Sequence, residues 1–219
     1  MPHNHHDHYD GNCGHEHDDD DHLKVEGEQN LLFSRIDRDG VVAMNEQRPG
    51  MGVEIIKPWA ERDDETRYLE SDADDQLIIR IPFAGQVKLR SLLLKAGPTD
   101  QTPSALHLYP NIDNLDFEDA SQGTHPAPAQ KLESIAVARE VIEYPLRTAK
   151  LSAVRSLTIF VPASLGSDTS RIYFLGLRGE WQDLRREGPT NIVYEAAPQA
   201  KDHVKIPGTE AGKNSFGPG

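Results

Sequence analysis

An acidic run in the first half of the chain has side chains that could bind a hard cation. Its members are Glu70, Asp72, Asp74 and Asp75. They alternate like the ligands at the start of a calcium-binding loop, which also needs glycine at its sixth position and glutamate at its twelfth. Counted from Asp72, those positions hold Leu77 and Phe83. We therefore interpret the run as a polar turn whose Asp and Ser side chains accept hydrogen bonds from backbone N–H groups before a strand.

The first 28 residues hold a second set of potential metal ligands, dominated by histidine. Imidazole and thiolate groups can bind Zn²⁺, Ni²⁺ or Cu²⁺. The candidate ligands are His3, His5, His6, His8, Cys13, His15 and His17. The same segment has almost no apolar side chains, so burial cannot offset the entropy lost on ordering. We predict a disordered, solvated tail over residues 1–28 and no cofactor, with a metal site in the tail as the alternative.

The common local motifs of catalytic sites are missing from the sequence. It contains no Gly-x-Ser-x-Gly elbow, no His-Glu-x-x-His pair and no Walker loop. Cys13 is the single cysteine, and the histidines beyond the tail are His107, His125 and His203. We expect His107 to pack on a strand and the other two to lie in a loop and in the C-terminal tail. The sequence therefore predicts a protein that is not an enzyme.

The net charge and the cysteine content limit the classes of partner and the cellular compartment that we expect. The net charge is −13, and residues 1–30 carry −8 of it. A strongly acidic chain repels phosphate backbones and anionic lipids, so we expect neither nucleic acid nor a membrane as partner. One cysteine cannot form an intramolecular disulfide, which favours a reducing compartment. With no apolar run near ~20 residues and no signal-peptide pattern, we expect a cytoplasmic protein, with the nucleus as a second compartment.

The elements that would position these residues are short strands. Apolar segments rich in Val, Ile and Tyr alternate with clusters of Gly, Pro, Asp and Asn. The predicted strands cover residues 77–81, 87–94, 105–109, 141–144, 154–161, 172–177 and 191–194. We expect Pro82 and Pro110 to end the strands before them, and short helical turns at residues 30–36 and 42–47. Without helix-length segments between the strands, the pattern predicts an all-β, antiparallel sandwich of jelly-roll type.

A polar segment after the strand at 172–177 is the candidate contact surface. An arginine beside a large aromatic residue can supply both a bidentate contact and buried apolar area. We predict a protein-binding face formed by this loop together with the acidic run. The candidate residues are Glu70, Asp72, Asp74, Arg178, Glu180 and Trp181. For Trp181, a role as a plug at one end of the sandwich core is an equal alternative.

Several segments, taken in order, resemble the PITH domain, the C-terminal proteasome-interacting half of a thioredoxin-like protein. They are Met44-Asn45-Glu46, Lys57-Pro58-Trp59, the stretch from Tyr68 to Leu77, Ile81-Pro82-Phe83, Val87-Lys88-Leu89, the stretch from Leu106 to Ile112, and the stretch from Arg171 to Trp181. The resemblance implies a galactose-binding-like jelly roll over residues 29–197. It also implies a module that associates with the proteasome regulatory particle, and we expect the protein to be a monomer. The Pro- and Gly-rich residues 198–219 are predicted to be a disordered tail. The chain has no thioredoxin Cys-x-x-Cys site and so resembles the stand-alone members.

Two other functions remain open from the sequence. One is a ligand-binding jelly roll, for example for a glycan, which would need aromatic platforms and converging polar groups at one end of the sandwich. Aromatic residues make up only 6% of the chain. The other is a regulator of transcription that acts through protein contacts.

Overall fold

The computed structural model describes residues 30–123 and 126–182, and the predicted strands that lie in these ranges form an antiparallel β-structure. The eight strands of these ranges are β1 (Val42–Met44), β2 (Leu69–Glu70), β3 (Leu77–Ala96), β4 (Ala105–Pro110), β5 (Gln130–Glu133), β6 (Ile142–Pro145), β7 (Val154–Val161) and β8 (Arg171–Gln182). Two short helices are α1 (Met51–Glu54) and α2 (Phe117–Gln122). Single 3-10 turns cover Phe33–Arg35, Arg38–Gly40, Trp59–Glu61 and Thr99–Gln101. Short helical turns lie near the N-terminus, as predicted, but at Phe33–Arg35 and Arg38–Gly40.

The 20-residue strand β3 takes part in both layers of the fold. Its first part pairs with β1 and β7, and its second part pairs with β6 and β8. The register against β7 shifts between Pro82 and Val87, where the strand changes layers. The first layer is thus β5-β4-β7-β3-β1, and the second layer is β6-β3-β8-β2. This is the all-β jelly-roll sandwich that the sequence predicts.

The core lies between the two layers and is built from alternate residues of each. The first layer contributes Ile79, Ile81, Leu106, Leu108, Leu157 and Ile159, and the second contributes Leu89, Leu92, Leu94, Ile172, Leu175 and Leu177. All twelve side chains are essentially inaccessible to solvent, which makes apolar burial the main stabilising contribution. A smaller apolar cluster on the outside of the first layer packs α2 against Ile78 and Phe160.

The prediction that Pro82 ends a strand is wrong, because β3 continues through it to Ala96. Proline removes a backbone donor, and it is tolerated at strand edges and bulges. On one side of β3, the pairing with β1 does not extend beyond Arg80. On the other side, the register against β7 shifts after Pro82. The Pro82 carbonyl still accepts a hydrogen bond from the Asp37 N–H at 3.0 Å.

Of the two helical turns predicted at the N-terminus, that at 30–36 is shorter than predicted and that at 42–47 is wrong. In the segment 30–36 only Phe33–Arg35 is helical, because Leu31 bridges to Arg178 and the Leu32 N–H donates to the Leu177 carbonyl at 2.9 Å. In the segment 42–47, the first three residues form β1, and the chain turns only at Asn45, which has φ 65°. Three residues are too few for a period-two pattern to be recognised.

Strand β8 is longer than the predicted strand at 172–177, because it continues to Gln182. Gly179 allows this continuation, since a Cβ there would lie 2.2 Å from the Lys88 carbonyl oxygen. Several predictions fall outside the described residues: both tails, the histidine-rich candidate ligands with Cys13, and the strand at 191–194. Among the helices of the described ranges, none is long and apolar enough to cross a membrane.

Candidate functional site

Arg178 and Glu180 lie on β8 itself, so the prediction that they occupy a loop is wrong. Arg178 is opposite Ser91 on β3, and Glu180 is opposite Lys88. Because side chains alternate along a strand, both residues point away from the core, on the outer surface of the second layer. The strand fixes the two side chains more rigidly than a loop would.

An ion pair joins β8 to the edge strand β6 across this surface. Arg178 Nη1 donates to Glu143 Oε2 at 2.6 Å, and Ser91 Oγ donates to Glu143 Oε1 at 2.5 Å. The three residues come from three adjacent strands, β8, β3 and β6. The Arg178 side chain is 22% exposed and that of Glu143 is 45% exposed. Sequence reasoning missed Glu143 and Ser91, because only the sheet register brings them to Arg178.

The aromatic residue beside Arg178 is Trp59. Its ring packs edge-on against the buried Phe174 of β8, with 6.2 Å between ring centroids. The Arg62 guanidinium lies 4.4 Å from the centre of the Trp59 ring, and that of Arg178 lies 5.8 Å from it. These are cation–π distances. We call the surface formed by Trp59, Arg62, Ser91, Glu143 and Arg178 the Trp59 face.

The Trp59 loop, residues 57–68, is held in place by a buried lysine. Lys57 Nζ donates to the backbone carbonyls of Asp64 at 2.5 Å and Arg67 at 2.7 Å. Its side chain is 1% exposed, and burial lowers its pKa, although the nearby Asp64 carboxylate opposes this shift. Within the loop, hydrogen bonds from Thr66 and then Arg67 hold the pKa of Asp64 well below its usual range. The Lys57-Pro58-Trp59 segment therefore anchors the loop and places its tryptophan on the sheet.

Charged side chains extend the exposed surface towards the end of β8. Glu180 pairs with Arg90 and lies 3.5 Å from Lys88 Nζ. The hydrogen bond from Arg90 is the main reason that the pKa of Glu180 is lowered. These pairs are solvent-exposed, so each adds little to stability but stays accessible to a partner.

Trp181 lies on the opposite side of β8 from Arg178 and packs against the core. Its ring covers Gly85, where a Cβ would lie 2.3 Å from the ring atom Cη2. The Arg35 guanidinium lies 4.8 Å from the ring centre on the solvent side. Of the two roles left open for Trp181, this position favours the plug at the end of the core.

The acidic run lies at the other end of β8. Glu70 is buried, and its carboxylate accepts hydrogen bonds from Arg171 at 2.6 and 3.1 Å and from Gln101 at 2.8 Å. Glu70 is opposite Arg171 on β8. Arg171 precedes Arg178 by seven residues, a distance of roughly 23 Å along a strand. The acidic run and the Trp59 face are therefore separate surfaces.

Hydrogen bonds identify the rest of the acidic run as a turn. Asp74 Oδ1 accepts from the Gln76 N–H at 3.0 Å and from Asn45 Nδ2 at 2.8 Å, and Asp75 Oδ2 accepts from the Ser164 N–H at 2.7 Å. Asp72 is exposed. Asn45 of the Met44-Asn45-Glu46 segment thus fixes the turn that follows β2. Within residues 30–123 and 126–182, no three His, Cys, Asp or Glu side chains cluster in a way that could hold a metal ion.

Comparisons with known proteins agree with the ordered segments found in the sequence. The model of the PITH domain matches residues 22–198. The chain is 37% identical over 204 residues to the PITH domain-containing protein CG6153 of Drosophila melanogaster, covering 93% of this chain and 94% of that protein. It is also 37% identical over 172 residues to PITH domain-containing protein 1 of Homo sapiens, covering 78% and 80% of the two chains.

Among solved structures, the chain is similar to a CBM32-3 module from a family 31 glycoside hydrolase of Clostridium perfringens. That similarity has a TM-score of 0.49 and 13% identity, and it covers 70% of this chain and 97% of the module. The family 32 CBM from C. perfringens NanJ, in complex with galactose, also gives a TM-score of 0.49, with 8% identity over 68% of this chain and 97% of that one. The match to the family model over residues 22–198 and the similarity to relatives over most of their length lead to one conclusion: the chain belongs to the PITH domain family.

Proposed function

We propose that this PITH domain is a non-enzymatic protein-interaction module whose binding surface is the Trp59 face. The observation that carries the proposal is the partly exposed Trp59, flanked by the guanidinium groups of Arg62 and Arg178 on the outside of a rigid sheet. Tryptophan and arginine are the residue types that dominate binding energy in protein interfaces. Rigid strands and the loop anchored by Lys57 pre-organise these groups, so that little conformational entropy is lost on binding.

The partner in this proposal is the proteasome regulatory particle. Membership of the PITH family supports this choice, since the domain type is associated with proteasome interaction. A monomeric protein in the cytoplasm, and also in the nucleus, fits the same proposal. Arg178 and Glu180 keep the binding role predicted from the sequence, whereas Trp59 replaces Trp181 as the aromatic anchor. Glu70 lacks a free carboxylate for a partner, and Asp72 and Asp74 belong to the separate surface of the acidic run.

A binding measurement with purified components tests the proposal. Arg178→Ala should weaken the affinity for the purified regulatory particle by about 1–3 kcal/mol, which corresponds to roughly 5- to 150-fold in Kd. Arg155→Ala is the matched control, because Arg155 is an exposed arginine on β7 of the other layer. Melting curves of both variants show whether the fold is retained.

Two results would count against the proposal in different ways. If the wild-type protein does not bind the regulatory particle, the choice of partner is wrong. If it binds, and Arg178→Ala and Arg155→Ala have equal affinities while both remain folded, the Trp59 face is not the binding surface.

A further inference from the structure

A polar cavity opens between the Trp59 loop and the segment that precedes β6. It has a volume of about 450 Å³. Its polar lining comes from Glu65 of the loop, Lys95 of β3, Arg139 of the segment before β6, and Tyr173 of β8. The cavity borders the Trp59 face, because Lys95 is opposite Phe174, on which Trp59 packs. None of the five residues of that face lines it.

Lys95 places a nearly buried positive charge at this cavity. Its side chain is 6% exposed, and an ammonium group carries three hydrogen-bond donors. Its nearest carboxylate oxygens are Glu65 Oε1 at 2.9 Å and Asp63 Oδ1 at 3.6 Å. Both acidic side chains are more than half exposed. The buried ammonium therefore depends on carboxylates that solvent or another anion can reach, although a buried charge is stable only when it is well paired.

Arg139 supplies a second cation. It is exposed and lines the cavity, and no side chain within the described ranges forms an ion pair or hydrogen bond with its guanidinium. The residues that line the cavity, Lys95 and Arg139 against Glu65, carry a charge of +1, and Asp63 beside Lys95 brings the cluster to neutral in a chain whose net charge is −13. Guanidinium and ammonium groups that converge on one cavity are the usual ligands of carboxylate and phosphate.

We propose that this cavity is a binding site for an oxyanion, a phosphate or carboxylate group. The incoming group is held between Lys95 and Arg139, and it takes over the position at the Lys95 ammonium that Glu65 now fills. Glu65 is thus an internal competitor for the site. The inference is independent of the proposed protein contact, and its test uses the isolated chain.

Nuclear magnetic resonance titration of the full-length protein tests the site with inorganic phosphate and with acetate. Sodium chloride at matched ionic strength is the control titration. The backbone amides of Ala96, Ala138, Arg139 and Tyr173 should shift saturably with an oxyanion and not with chloride. Saturation by phosphate alone assigns a phosphoryl group, and saturation by both anions assigns oxyanions in general.

Three variants with opposite expected effects decide whether the response comes from this cavity. Arg139→Gln should weaken the affinity at least about fivefold, and Glu65→Gln should strengthen it about two- to fivefold because it removes the internal competitor. Lys95→Met should abolish the response. Arg155→Gln, on the other layer, should titrate like the wild type. If Lys95→Met fails to fold, the other two variants still decide.

Two outcomes overturn the proposal. One is a phosphate and acetate response no larger than the chloride response. The other is a response in which Arg139→Gln and Glu65→Gln both titrate like the wild type.

Discussion

Replacing Lys57 with methionine is expected to destabilise the domain and release the Trp59 loop. Methionine fills a similar volume but cannot donate the two hydrogen bonds to the carbonyls of Asp64 and Arg67. Hydrogen bonds from a charged group contribute about 1.5–3 kcal/mol each, so the gross loss is about 3–6 kcal/mol. The variant also avoids burying an ammonium, which offsets part of this loss. The net decrease in the free energy of unfolding should be about 2–3 kcal/mol.

Urea denaturation measures this change directly. The matched control is Lys150→Met, because Lys150 is exposed and its side chain forms no ion pair or hydrogen bond with the described residues. A domain of this size loses about 2–4 °C of Tm per kcal/mol, so a drop of roughly 4–12 °C is expected for Lys57→Met. The indole N–H resonance of Trp59 should also move towards its position in an unstructured peptide.

A small effect would refute this explanation of the loop. If Lys57→Met and Lys150→Met differ by less than about 0.5 kcal/mol, the typical range of surface substitutions, then Lys57 does not hold the loop. An unchanged Trp59 resonance would lead to the same conclusion.

Three further substitutions test other parts of the structure. Gly85→Ala should displace the Trp181 ring towards solvent, destabilise the domain by about 1–3 kcal/mol and shift tryptophan fluorescence to the red, since a Cβ at Gly85 would lie 2.3 Å from the ring. Asn45→Ala should decrease the free energy of unfolding by about 2–3 kcal/mol in urea denaturation, because it removes the hydrogen bonds that Nδ2 donates to Asp74 and Gln76 and the one that Oδ1 accepts from the Ala73 N–H. Burial lowers the pKa of His107 below its ordinary value of 6.5, so protonation favours the unfolded chain. Stability measured against pH should therefore fall as the pH drops below about 6.5, and His107→Gln should lessen this fall.

Controls for these substitutions are available within the chain. Gly166 is the counterpart of Gly85, since a Cβ there would meet only Asp100 Cβ, at 3.9 Å. If Gly85→Ala and Gly166→Ala have the same fluorescence and stability, the packing of Trp181 on Gly85 is not important. Asn114→Ala is the control for Asn45→Ala, because Asn114 is exposed and its side chain forms no hydrogen bond with the described residues. Equal pH dependence of the wild type and His107→Gln would contradict the linkage to His107.

Local patterns were sufficient to predict the fold class. The alternation of apolar residues placed the strand at 154–161 at its observed bounds, Val154–Val161. The same patterns failed where long-range contacts decide the backbone. Pro82 lies inside β3 because the neighbouring strand β1 has ended and the register shifts there, and neither event is visible in the local sequence.

The candidate surface was predicted only in part, for a similar reason. Arg178 was found because arginine next to tryptophan is a typical interface pair, but the two residues face opposite sides of β8. The tryptophan that does meet Arg178 is Trp59, more than a hundred residues earlier in the chain. Glu143 reaches Arg178 only through the pairing of β6 with β3. Such contacts depend on sheet register, which residue types alone do not specify.

Site-specific photo-crosslinking tests whether the Trp59 face contacts the proteasome regulatory particle. A photoreactive p-benzoylphenylalanine is introduced at Arg62, beside Trp59, and in a second protein at Arg155 on the other layer. Both proteins are irradiated with the purified regulatory particle, and their melting curves confirm folding. We expect a cross-link to a regulatory-particle subunit from position 62 and none from position 155. A cross-link from position 155 alone, or from neither position while the wild-type protein binds, would contradict the proposal.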